Sequence, residues 1–206
     1  AVVPGASTET KTRILAGGIN TTRQQMLRVD RSLGGDLPAA AVEELLRMLR
    51  EAAGRAEVIV VSDYGGGVLA TPVVEEVRRL AAAGVRVCVD SRYGLAAYRG
   101  VLVAKPNEPE LAAATGLPVG DAASTVRAAL ALRERLDCTA VLATRGRSGM
   151  ALVEKGRDPD LIPVHGQEEA VDVTGAGDTV VATLALAIAA GATLGQAARI
   201  ANVAGA

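Results

Sequence analysis

The sequence predicts an α/β protein with a mostly parallel central sheet covered by helices on both faces. Three observations carry that prediction: short continuous apolar runs recur, each is followed by an amphipathic stretch of helical length, and Gly, Pro, Asn or Asp marks the boundaries. Runs such as Val58-Ile59-Val60-Val61 do not alternate with polar residues, as expected of strands buried on both faces. In such sheets ligands bind at the carboxyl ends of the strands.

The elements follow in order. Lys11 to Arg31 alternates apolar and polar residues around Gly17-Gly18-Ile19-Asn20, which reads as two extended stretches joined by a turn, a β element over 9–31. Pro38 to Ala53 has helical spacing of Val42, Leu45, Leu46 and Leu49, and leads into a buried strand from Val58 that ends in Ser62-Asp63. Pro72 to Ala83 repeats the helix with Pro in its first turn and Gly84 as its stop, before a strand from Val85 to Val89 that ends at Asp90. A short strand, Val101 to Ala104, precedes Pro106-Asn107 and a helix carrying Glu110 and Leu111 that Gly116 stops. Asp121 caps a helix to about Leu136, and strands follow at Thr139 to Thr144 and Met150 to Glu154 around a glycine-rich turn. From Asp178 to Ala190 nearly every residue is apolar or small, so this helix is expected to be buried all round; Gly191 ends it and Thr193 starts another.

With 206 residues, half of them apolar, the chain suits one domain over 1–206. Its 22 basic and 23 acidic residues are interspersed, for a net charge of −1, so neither a nucleic-acid footprint nor a membrane patch is expected and the partners should be small molecules. No basic stretch precedes an apolar run at the start and no run is long enough to span a bilayer, which makes a cytoplasmic location the default expectation. Cys88 and Cys138 sit in apolar or β-branched surroundings as reduced core thiols. Phe and Trp are absent, so stacking of bases on large aromatics is excluded as a binding mode. His165, the single histidine, follows Pro163-Val164 in a loop and is read as a surface or core-edge residue.

Gly175-Ala176-Gly177 places small residues directly before the last long helix, where backbone N–H groups can meet an anion and the helix terminus favours negative charge. Asp178 follows immediately. Two readings stay open: Asp178 merely belongs to a capped first turn, or it accepts a proton from an attacking hydroxyl while the turn binds a transferring phosphoryl group. The turn is not a dinucleotide fingerprint, because Val180 fills the last glycine position, and it lacks the lysine of a Walker loop.

Asp172-Val173-Thr174-Gly175-Ala176-Gly177-Asp178-Thr179 resembles the C-terminal signature of the ribokinase-like (PfkB) carbohydrate kinases. Lys105-Pro106-Asn107-Glu108-Pro109-Glu110 resembles the family's Asn-x-x-Glu motif, Thr144-Arg145-Gly146 with Ser148-Gly149 its nucleotide loop, and Ala201-Asn202 its adenine-side helix. The resemblance implies a three-layer ribokinase-like fold with a small β lid at 9–31, and ATP-dependent transfer to a sugar hydroxyl. Asp178 would be the base and Gly175, Ala176 and Gly177 the anion hole. Asn107, Glu108, Pro109, Glu110, Thr144, Arg145, Gly146, Ser148, Gly149 and Asn202 would line the nucleotide. Asn107 and Glu110 would hold Mg²⁺ through water, and Asp172 would stand beside a monovalent cation such as K⁺ or simply serve as a loop acceptor.

Thr10 to Ile14, Arg23 to Arg31 and Val61-Ser62-Asp63-Tyr64-Gly65 narrow the resemblance to bacterial heptose-phosphate kinases, although Gly66 stands where these usually carry Lys. Lys11, Arg13, Arg28 and Asp63 would then contact a heptose 7-phosphate, phosphorylated at its anomeric oxygen. Ribose, fructose or a nucleoside as acceptor, and a non-catalytic nucleotide-binding module, are the alternatives. The family's N-terminal sugar-binding segment and any fused adenylyltransferase domain are not in the sequence, so the chain reads as a kinase part incomplete at both ends, self-associated as a homodimer.

Overall fold

In the computed structural model, which describes residues 8–17, 24–31, 37–165 and 175–205, the expected alternation is present with one addition. Strands β1 (Thr10–Ala16) and β2 (Gln24–Arg31) form an antiparallel ribbon. The body then runs α1 (Ala39–Ala53), β3 (Ile59–Asp63), α2 (Thr71–Ala82), β4 (Val87–Ser91), β5 (Val103–Ala104), α3 (Glu108–Thr115), α4 (Ala122–Leu136), β6 (Ala140–Thr144), β7 (Met150–Glu154), β8 (Asp160–Ile162), α5 (Ala176–Ala189) and α6 (Leu194–Ala204).

The six strands of the body lie side by side in chain order, β3 to β8. Strands β3 to β6 are parallel, and β7 and β8 extend the sheet by two antiparallel pairings. Because side chains alternate across a strand, each strand feeds two cores. Val87, Val89, Val141 and Ala143 face one layer with Val77, Leu111, Leu132 and Leu136 from α2, α3 and α4. Cys88, Val103, Ala140 and Leu142 face the other with Val180, Leu184, Ile188 and Ala201 from α5 and α6. Both cysteines are free and buried in these layers. Leu132 is fully buried, so Leu132→Ala should cost about 2–5 kcal/mol.

Local signals set the helix ends. Asn107 and Glu110 form a reciprocal capping box at α3, Asp121 with Ser124 does so at α4, and Thr193 with Gln196 at α6. Gly116 stops α3 with φ 74, a left-handed value that costs a glycine little.

Two expectations need correction. Helix α5 is not buried all round: Leu186 is 72% exposed, because one face of the helix meets no described element even though its composition is apolar throughout. The strand from Val58 is not buried on both faces either: among the described residues β3 is at the edge of the sheet, and Val60 is 40% exposed. Among the described residues no helix is long and apolar enough to cross a membrane.

Candidate active site

The carboxyl ends of β3, β4, β5, β6 and β8 and the start of β7 lie along one edge of the sheet, where Asp63, Asn107, Thr144 and Gly149 sit. Helix α5 begins beside this edge. Gly175 has φ 85, and among the described residues nothing lies within 4 Å of where its Cβ would stand, so the first turn of α5 begins without a side chain over its N–H groups. Asp178, exposed in that turn, accepts a hydrogen bond of 2.7 Å from the Tyr64 hydroxyl. This bond, ahead of burial, pushes the Tyr64 phenol up to about 12, so it stays a donor at neutral pH.

Tyr64 is held in place by its neighbour. One oxygen of Asp63 accepts from the Gly65 N–H at 3.0 Å, and the other from the Ser91 hydroxyl at 2.8 Å and the Tyr98 hydroxyl at 3.0 Å. Sequence reasoning offered Asp63 as a substrate contact; in the structure both of its oxygens are engaged and it braces the loop after β3. Burial first, then the negative charge of Asp63, raises the Tyr98 phenol.

The ribbon approaches this loop. Lys11 Nζ lies 5.8 Å from the centroid of the Tyr64 ring and 2.8 Å from a Glu9 oxygen, and a Cβ on Gly66 would lie 3.3 Å from the other Glu9 oxygen. The pairings Lys11 with Asp30 and Arg13 with Arg28 put all four side chains on one face of the ribbon. Arg28 pairs with Asp30 at 2.8 Å. The opposite face carries Ile14, Leu27 and Val29, each at least 41% exposed.

The motifs expected to line the nucleotide join one another through backbone. The Asn107 side chain accepts from the Glu110 N–H at 2.8 Å, and Glu110 accepts from the Asn107 N–H at 2.9 Å. Asn107 forms an isolated parallel bridge with Thr144, whose N–H donates to Pro106 at 2.9 Å. Arg145 Nε sits 3.4 Å from Glu108, and its backbone N–H donates to Gly149 at 2.8 Å. Pro109 and Ser148 are exposed beside them, and Gly146 has φ 50. Gly149 has φ 80, and a Cβ there would collide with the Ile162 carbonyl oxygen. Buried Asn202 donates from its amide to the Pro163 carbonyl at 2.7 Å, which ties α6 to the same corner. Asp172 lies outside the described residues.

Sequence reasoning passed over three groups: Tyr64, Asp90 and Lys105. Lys105 Nζ is 3.0 Å from an Asp90 oxygen, with the two side chains 5% and 16% exposed. Burial raises the Asp90 carboxyl and outweighs the pull of Lys105, with smaller upward pushes from the charges of Glu110 and Asp178. A charged residue breaking an apolar run directly after β5 was the available signal.

A family model described as pfkB family carbohydrate kinase matches residues 10–206. The chain belongs to that family. Among curated proteins, this pfkB-family chain is similar to the bifunctional protein HldE of Paramagnetospirillum magneticum, 44% identical over 98% of this chain and 41% of that protein. It is likewise similar to the HldE of Caulobacter vibrioides, 42% identical over 99% of this chain and 41% of that one. The chain therefore spans about two fifths of the length of these relatives. Among solved structures it resembles Arabidopsis thaliana ribokinase complexed with ribose and ATP, with a TM-score of 0.71 and 20% identity over 98% of this chain and 62% of that one. Escherichia coli phosphofructokinase-2 in complex with fructose-6-phosphate gives a TM-score of 0.66 and 23% identity over 87% of this chain and 59% of that one. These neighbours bear out the ribokinase-like α/β fold.

Proposed function

We propose that this pfkB-family chain carries out transfer of the γ-phosphoryl group of ATP to a sugar-phosphate hydroxyl, with a heptose 7-phosphate, taken at its anomeric oxygen, as the acceptor. One observation carries the reading: at the mouth of the glycine turn a hydroxyl, that of Tyr64, already donates to Asp178 at 2.7 Å. An acceptor hydroxyl taking that position would lose its proton to Asp178. The first-turn N–H groups of Gly175, Ala176 and Gly177 would face the charge on the moving group.

Two further features support the reading. The cationic ribbon face with Lys11, Arg13 and Arg28 lies on the Tyr64 side, where an acceptor bearing its own phosphate finds charge-assisted donors. The relatives named HldE agree with a heptose phosphate within the class.

Mg²⁺ fits the donor set as a hydrated ion on the phosphates. The described residues contain no cluster of three or more His, Cys, Asp or Glu, while the cap at α3 uses only one oxygen of Glu110. When bound, Mg²⁺ would offset phosphate charge, with Asn107 and Glu110 reaching it through water. The monovalent-cation role of Asp172 rests on the family resemblance alone. The exposed apolar ribbon face suits pairing with a second copy, which light scattering before and after Leu27→Glu checks.

The kinase test is an assay of ADP release across heptose phosphates, fructose phosphate, ribose and nucleosides, with Asp178→Asn as control. Heptose 7-phosphate should be preferred, and Asp178→Asn should lower kcat by about 10³ while ATP still binds. Unchanged turnover in that variant removes Asp178 from the role.

A further inference from the structure

We infer that Lys105, held by Asp90, is the cation that grips the transferring phosphoryl group and joins the nucleotide side of the cleft to the acceptor side. The inference rests on the kinase reading above and assigns a residue to that site.

Position comes first. Lys105 directly follows β5 and stands two residues before Asn107, so its backbone belongs to the nucleotide motif. Its side chain reaches toward the glycine turn, where Nζ lies 3.5 Å from the point a Cβ on Gly177 would occupy. With no side chain at 177, the glycine turn itself does not cover that flank of the ammonium. One cation thus spans two motifs far apart in sequence.

Burial and valence come next. The side chain is 5% exposed, and an ammonium taken out of water costs several kcal/mol unless compensated. Asp90 supplies one partner at 3.0 Å, the only hydrogen-bond or ion-pair partner of Nζ among the described residues. An ammonium has three N–H donors, so two remain for an incoming acceptor. A purely structural role would be served as well by an apolar pair of similar volume, since buried ion pairs seldom stabilise more than such a pair.

Charge completes the argument. Asp90, Glu110 and Asp178 are near enough for the two latter charges to act on Asp90. A phosphoryl group entering among three carboxylates meets repulsion that Mg²⁺ and helix N–H groups only partly relieve, and Lys105 is a buried cation at this spot.

The step balances without a proton on or off Lys105. The acceptor O–H gives its proton to Asp178, and its oxygen forms the new bond to the γ-phosphorus. The bond from that phosphorus to the β,γ-bridging oxygen breaks, with its electron pair leaving on ADP. Lys105 stays an ammonium throughout and donates to the equatorial oxygens of the moving group.

The test uses the full-length protein and reads nucleotide affinity besides turnover. With Mg²⁺ present, calorimetry compares ATP and ADP in an Asp178→Asn background, where hydrolysis does not interfere. Lys105→Met should weaken ATP binding at least about tenfold and leave ADP nearly unchanged, since only ATP carries the γ-phosphate. With Asp178 intact, its kcat should fall by about 10² to 10³. Lys105→Met strands Asp90 in the interior, so the paired variant Asp90→Asn with Lys105→Met controls for folding. It should melt cooperatively near the parent temperature and remain as inactive as the single variant. Turnover of the paired variant within threefold of the parent overturns the assignment, as does an equal loss of ATP and ADP affinity. A parent protein without phosphoryl transfer to any acceptor removes the kinase reading alone, because the ATP-to-ADP comparison still decides the role of Lys105.

Discussion

Along the side proposed for the nucleotide the contacts are made by backbone and caps: the Asn107–Glu110 box, the Asn107 bridge to Thr144, the close approach of Gly149 to Ile162, and the Asn202 tie to Pro163. Along the side proposed for the acceptor they are made by side-chain tips: Tyr64 on Asp178, Lys11 over Tyr64, Arg28 on Asp30. The first side is welded to the sheet, while the second stands on a two-stranded ribbon whose residues are all exposed. Substitutions that break the backbone and cap contacts of the first side should therefore register in lost stability, and those at the side-chain tips of the second in altered selectivity of a folded protein.

The largest expected effect tests the welded side. Gly149→Val places a branched side chain at φ 80 against the Ile162 carbonyl, and should destabilise by more than about 3 kcal/mol, seen as loss of a cooperative melt at 37 °C. Glu76 is a control away from both sides. Arg79 first, then Arg50, hold its carboxyl down to about 2, below the usual carboxylate range. That stability is fully present above the unfolded value near 4.3 and is lost as pH falls toward about 2. Glu76→Gln should flatten the acid limb of a stability-versus-pH curve, and an unchanged limb would remove Glu76 from that role.

A smaller effect is expected of Glu110→Ala, which deletes one arm of the cap at α3 and should cost about 1 kcal/mol in urea denaturation. On the acceptor side, Arg13→Gln should leave the melt unchanged and raise KM for a phosphorylated acceptor about five- to tenfold, less at high salt. The comparison fails if Arg13→Gln unfolds the protein or if Glu110→Ala changes selectivity among sugars. Smallest of all, Tyr64→Phe should change kcat about twofold, because the hydroxyl must leave Asp178 before any acceptor arrives.

The sequence made the welded side readable and the other side only partly so. Caps are local, and Asn107 with Glu110, Asp121 and Thr193 announce themselves within four residues. The Asp90–Lys105 pair is not local. It exists because parallel pairing sets Val89 beside Ala104, so the next residue of each strand becomes its neighbour's partner, and that register is unknowable before the sheet is assembled. Strand β8 was missed because three residues, Asp160-Leu161-Ile162, carry no period. The open face of α5 was misjudged because which face of a helix meets the sheet is set by packing, and a composition that is apolar throughout does not distinguish the faces.

The pairing of Arg13 with Arg28 has a mechanical consequence. Like charges directly opposite each other push the two strands of the ribbon apart, an effect that the Arg28–Asp30 pair offsets in part. A phosphate seated between the guanidinium groups would turn that repulsion into a clamp. Backbone amides of residues 10–16 and 24–31 should then exchange hydrogen more slowly when a sugar phosphate is bound than when the unphosphorylated sugar is.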